Sequence, residues 1–275
     1  VITSSLLHIF RNAPFGRETL MQSAYFCRVM DVSLHVYFPV HDQFLMYFQN
    51  RIVTVPLDHS YLRDPDTARD HAREIVEKEG ITLHPVEPKG FTATTLPEVP
   101  VHFQFMTCPR VLSDLHTRIG LGHIGPRVRQ IVKNAPFPVL LPASLAREWK
   151  SVTSFFGGSE HSFKALHLAA QISKKTGFPL RIFTWSEERP KEHFEKLLRE
   201  GGGMKELEGV EWTWIFRRHP DVKVSLYDVP HDSILVAGAY GAGDVKKVLF
   251  GSFTEVIHSV LPNPLLLVGP LYHRI

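Results

Sequence analysis

Cysteine is nearly absent: two residues in 275, Cys27 and Cys108, with no Cys-x2-Cys pair. That excludes a disulfide-stapled scaffold and a thiolate zinc site. Both cysteines lie in apolar-rich stretches and are expected to be buried, reduced thiols of a cytoplasmic protein. Long apolar runs are missing too. The most apolar stretch, Val256 to Leu271, is broken by Pro262, Pro264 and Pro270, so no transmembrane helix and no membrane partner are expected. No signal peptide is recognisable. Charge is balanced, with 31 Lys and Arg against 28 Asp and Glu, a net charge of +3 and a pI of about 8.8. The densest basic spots, Arg127 to Lys133 and Arg217-Arg218, read as solvated faces, and nucleic acid is not an expected partner. The 16 histidines contain no His-x3-His pair, and His116 and His123 are separated by Gly120 and Gly122, so no metal site is expected. No Gly-Lys-Ser/Thr phosphate loop is present.

An apolar content of 44% with 21% charged residues is that of a globular protein, and 275 residues suffice for two ordinary domains. The chain repeats itself. Asn134-Ala-Pro-Phe-Pro138-Val-Leu-Leu141 and Val260-Leu-Pro-Asn-Pro264-Leu-Leu-Leu267 share one pattern. Each follows a helix-like segment with a glycine near its start, and Gly125 stands to Pro138 as Gly251 stands to Pro264. The expected organisation is two α/β domains, residues 1–142 and 146–275, linked near Ala143 to Glu148.

In the second half, strands are expected at Ser151–Phe156, Leu180–Trp185, Glu211–Phe216, Ser233–Gly238 and Leu265–Val268. Helices are expected from Ser159, across Glu187–Glu200 and across Ser252–Val260. Ser159 has the chemistry of a helix cap, and Phe163, Leu166 and Ala170 form one apolar stripe. The first half reads in parallel. Strands are expected at Ser5–Phe10, Leu34–Phe38, Ile81–Val86 and Val101–Thr107, with helices at Glu18–Met30 and Asp66–Glu79. On the latter, Ala68, Ala72 and Ile75 share a face and Gly80 is the stop. Phe44, Met46, Tyr47 and Phe48 are read as an aromatic patch suited to a domain or subunit contact. Alternating strands and helices imply parallel sheets covered on both faces, with ligands bound beyond the carboxyl ends of the strands.

At that edge lies the most informative segment. Ile234-Leu-Val-Ala237-Gly238-Ala-Tyr-Gly241 runs a buried strand into two glycines, and Gly251-Ser252 opens the next helix. Glycines let backbone approach a ligand closely, and a helix start presents unpaired N–H groups to an anion. The spacing Gly-x2-Gly-x9-Gly-Ser, with Phe253 and Thr254 after it, resembles the ATP-binding signature of the universal stress protein family.

The resemblance covers nearly all of the second half, and in the first half chiefly its last thirty or so residues. It implies two tandem domains of the adenine nucleotide alpha hydrolase-like kind, each a five-stranded parallel sheet flanked by helices. It also implies a stress-response regulator rather than an enzyme, turning ATP over slowly at most. Residues placed on the nucleotide by the resemblance are Ala237, Gly238, Gly241, Gly251, Ser252, Phe253 and Thr254. Gly157 stands where the family has an aspartate near the nucleoside, and the bulk of Phe156 beside it is expected to narrow the pocket. ATP or a related nucleotide, with magnesium accompanying it, is expected in the second domain only. In the first domain Cys108-Pro-Arg-Val111 replaces Gly-x2-Gly, and Pro126 stands where Ser252 does. Proline offers no N–H or hydroxyl to a phosphate. Gly120-Leu-Gly122-His-Ile-Gly125 follows a polar stretch, not a first strand, and so is no dinucleotide fingerprint. Partners implied by the resemblance are the nucleotide, pairing of the two domains through their last strands (Val139–Leu141 and Leu265–Leu267), and a homodimer. The alternative is an interaction scaffold with both pockets degenerate, which the missing aspartate at Gly157 favours.

Overall fold

The computed structural model describes residues 4–49, 51–62, 64–90, 95–109, 112, 124–239 and 252–273. These fall into two compact units, the first ending at Glu148 and the second resuming at Trp149. The segment expected to link them is stitched to the first unit. Gln22 accepts from the Ala143 amide (2.8 Å) and donates to the Ala143 carbonyl (3.0 Å), and Glu18 accepts from the Ala146 amide (2.6 Å).

In the first unit the parallel strands are β1 (Ser5–Ile9), β2 (Ser33–Tyr37), β5 (Leu83–Pro85), β6 (Phe105–Thr107) and β7 (Val139–Leu141), in the order β5-β2-β1-β6-β7. Between β2 and β5 the chain makes an antiparallel hairpin, β3 (Gln43–Phe48) with β4 (Arg51–Pro56). The expected aromatic patch is therefore a strand. Phe44, Met46 and Phe48 are buried while Tyr47 is 42% exposed, because successive side chains point to opposite faces.

Helices α1 (Pro14–Met30) and α2 (Pro65–Lys78) open on prolines, whose fixed φ suits the first helical turn. Along α2, Val76 and not Ile75 completes the buried stripe with Ala68 and Ala72. Gly80 beyond it takes φ +71, as a stop requires. Strands β5 and β6 are shorter than expected: Pro85 ends one, and the segment through Pro100 precedes the other outside the ladder. Helix α3 (Pro126–Asn134) buries Val128, Ile131 and Val132. Both cysteines are buried and free.

The second unit repeats this topology. Its strands β8 (Ser151–Phe155), β9 (Leu180–Trp185), β10 (Trp212–Arg217), β11 (Ser233–Gly238) and β12 (Leu265–Val268) are all parallel, in the order β10-β9-β8-β11-β12. Both units thus run third-second-first-fourth-fifth. Helix α4 (Glu160–Thr176) is capped by Ser159, which accepts from the Ser162 amide (3.2 Å), and closed by Gly177 at φ +72. Helix α5 begins at Lys191, four residues later than expected, because Pro190 fixes the start (Lys191–Glu200). Two short helices, α6 (Gly203–Glu206) and α7 (Val222–Leu226), follow α5 and β10, and α8 (Ser252–Val260) precedes β12.

Candidate functional site

The site is built on the carboxyl edge of the second unit's sheet. Strand β11 is buried along Ile234, Leu235, Val236 and Ala237, and pairs with β8 on one side and β12 on the other. It ends at Gly238, which lies against the first turn of α4. A Cβ placed there would stand 2.7 Å from the His161 Cβ and 2.8 Å from the His161 carbonyl carbon and oxygen. Two of those atoms belong to a helix backbone and cannot give way, so only glycine fits. Ala237 is a core residue of the strand, paired in register with Leu267.

Gly241 and Gly251 lie outside the described residues. Ser252 begins α8. Phe253 is half-buried, its ring edge-on to Phe155 at 5.7 Å, which fastens the start of α8 to the end of β8. Thr254 is buried, so it turns toward the protein interior.

Beyond β8, Phe156 does not narrow an outer pocket. It is buried edge-on to Phe163 (5.0 Å) and Trp214 (6.1 Å), and its carbonyl accepts from the Thr184 hydroxyl (2.8 Å). The Trp214 indole in turn donates to Thr184 Oγ1 (3.1 Å). Gly157, one residue on, is exposed, and a Cβ there would meet nothing within 4 Å. Gly158 adopts φ +76 and backs onto Leu197, so the chain turns at Gly158 and leaves Gly157 facing open space.

His161 is the residue that motif reading overlooked. It is half-buried, and burial, together with the neighbouring Lys164 charge, lowers its proton affinity against the opposing pull of Glu160. The available signal was its place in the first turn after the Ser159 cap. The structure brings Ala237, Gly238, Gly157, Phe253 and the α4 start to one sheet edge. What they offer is close backbone approach at the first turn of α4.

The corresponding edge of the first unit is filled by its own side chains. Where β8 is followed by Gly157, β1 is followed by Arg11, ion-paired with Asp58 (3.5 Å) and lying over the Tyr61 ring (5.4 Å). Asn12 accepts from Arg17 (3.1 and 3.2 Å). Cys108 is buried after β6, and Pro126 is the first residue of α3. Among the described residues no group of three His, Cys, Asp or Glu can hold a metal, and no helix is long and apolar enough to cross a membrane.

No family model and no curated protein matches this sequence. Solved structures match its fold. A universal stress protein from Archaeoglobus fulgidus DSM 4304 superposes with a TM-score of 0.66, covering 98% of this chain and 99% of that one at 17% identity. The fold is that of the universal stress proteins. A putative universal stress protein from Pseudomonas aeruginosa UCBPP-PA14 gives a TM-score of 0.55 at 14% identity, covering 98% of this chain and 94% of that one. The cytoplasmic domain of a prokaryotic cation chloride cotransporter also matches, at a TM-score of 0.50 and 10% identity over 96% of this chain and 95% of that one.

Proposed function

We propose that this chain is a tandem universal stress protein of the cytoplasm whose second unit binds ATP or a related nucleotide as a regulatory ligand. The observation that carries this reading is the approach of Gly238 to His161, where β11 leads into the glycine-rich segment. The absence of a Cβ lets strand end and helix start close together, as a phosphate cradle requires. Phosphates would lie against the segment from Gly238 to Ser252, with magnesium arriving on the nucleotide. The nucleoside would face the open ground at Gly157, so affinity rests more on phosphate than on base or ribose. The first unit, with Arg11 bound to Asp58 at the matching place, would take no nucleotide. Occupancy would act by favouring one of two states that differ in affinity for the ligand.

Nucleotide released by heating the purified protein, identified by mass spectrometry, tests this together with titration by calorimetry. One adenine nucleotide per chain, with a rise in melting temperature on adding ATP and magnesium, is the expected result. No bound nucleotide, and no shift with ATP, ADP or AMP, overturns it.

A second reading, an interaction scaffold without nucleotide, has its own support. Gly157 replaces the carboxylate implied by the family resemblance, and the fold is shared across nearly the whole chain with a cotransporter's cytoplasmic domain. Binding of a partner protein by a nucleotide-free chain, unaffected by ATP, would favour it.

A further inference from the structure

Two imidazoles stack on one face of the first unit's sheet, and a third acts on one of them electrostatically. His35 on β2 is in register with Leu7 and so faces away from the side on which His8 meets Ser23 of α1. Its ring stacks on that of His84, its register partner on β5, with centroids 5.1 Å apart and planes at 27°. His102, from the segment before β6, stacks on Phe103 (5.5 Å, 9°), and Phe103 closes on His35 at 5.5 Å. His35 Nε2 and Ser33 Oγ are 3.2 Å apart. The groups that act on His35 electrostatically are His84 and His102. Tyr37 and Glu87, further along this face, act on one another.

The strand these rings flank is weakly held. Strand β5 is three residues long, has His84 and Pro85 exposed, and includes a proline with no N–H to give the ladder. Just beyond it, the Val86 amide donates to the Val36 carbonyl at 2.8 Å.

We propose that His35, His84 and His102 form an acid-operated latch on the edge of the first unit. Neutral, the rings stack and hold β5 against β2. Protonated, His35 and His84 become like charges at ring-contact distance, with His102 adding to the repulsion on His35, and β5 is driven off the edge of β2. Burial and the two neighbouring imidazoles already keep His35 below the ordinary histidine range, so folding favours its neutral ring. The interaction is therefore present above about pH 6.5 and is lost as pH falls from there through the lowered His35 value.

Amide exchange at Val86, read as a protection factor between pH 8 and pH 5, tests the latch in the full chain. Protection should fall by up to about tenfold per pH unit below about 6.5 for each proton taken up on opening. In the double variant His84→Gln, His102→Gln that fall should be clearly shallower, leaving only the part that burial of His35 itself supplies. His8 makes the whole first unit less stable in acid, but that effect reaches the amides of β1 equally. Val86 losing protection ahead of β1 in the wild type, and only there, supports the latch. Val86 tracking β1, or the double variant keeping the wild-type pH dependence, overturns it. His84→Gln alone, at an exposed position, carries the same test with a smaller change if the double variant does not fold.

Discussion

Gly238 and His161 touch through backbone: a side chain on Gly238 would have to occupy the space of the His161 carbonyl, 2.8 Å away. This close approach lies where the end of β11 meets the start of α4. Gly238→Ala should therefore destabilise the second unit by about 1–3 kcal/mol, as overpacking does, and weaken nucleotide binding with it. Thermal unfolding with and without ATP reads both effects.

Gly157 makes the opposite prediction. It is exposed and a Cβ there has open space, so Gly157→Asp should leave stability within about 0.5 kcal/mol of wild type. It would restore the carboxylate that the family resemblance implies, and affinity for adenosine-containing ligands should rise by roughly ten- to a hundredfold. Calorimetry with ATP against inorganic triphosphate separates the nucleoside gain from any loss on the phosphate side. An unchanged ratio would place the nucleoside elsewhere.

Gly241→Val should abolish nucleotide binding while the circular dichroism spectrum is retained, because a branched side chain would stand where backbone approaches a phosphate. Ser252→Ala should be milder, removing one hydroxyl and leaving the α8 amides, with a loss of roughly ten- to a hundredfold in affinity. A folded Gly241→Val protein with wild-type affinity would move the site away from this segment.

His8 sets the acid sensitivity of the first unit. It is buried between β1 and α1, with Nδ1 2.9 Å from Ser23 Oγ, and burial pushes its pKa from 6.5 down to about 3. The unfolded chain binds the proton more readily, so the neutral ring's contribution is fully present above pH 6.5. It is lost by up to about 1.4 kcal/mol per pH unit as pH falls from 6.5 toward 3. Urea unfolding of wild type and His8→Gln at pH 7.5 and 4.5 should show a markedly smaller pH dependence in the variant.

Gln22 holds the segment after β7 through both of its amide atoms, bonded to Ala143. Gln22→Leu would strand a buried N–H and a buried carbonyl, at about 1–3 kcal/mol each. Proteolytic cleavage between residues 143 and 148 should be faster than in wild type. Equal cleavage rates would show that the segment is held by other contacts.

Much of the architecture was legible in the amino-acid order. Strands β9, β11 and β12 and helix α8 have the expected bounds; for β11 and β12 a continuous apolar run sets the strand and Gly238 or Gly269 ends it. The repeat around Pro138 and Pro264 announced two units of equal topology. The β3–β4 hairpin was missed: it has two residues between its strands at Gln49 and Asn50, but its aromatic run reads equally well as a surface patch until cross-strand pairing buries alternate side chains. Val76 rather than Ile75 completes the stripe on α2 for a related reason: adjacent positions differ little in linear spacing, and only docking chooses between them.

Sequence by itself determined the local chemistry: glycines where strand meets helix and a serine cap on α4. Spacing along the chain governs those features, and they need no knowledge of distant neighbours. Only the tertiary structure decided that Phe156 turns inward against Phe163 and Trp214, that Thr254 is buried, and that Arg11 is spent on Asp58. It alone stacked His35 on His84 and brought Phe103 against His35. Each of these depends on which residues from remote segments share a face of a sheet, a relation created by strand pairing and invisible in linear order.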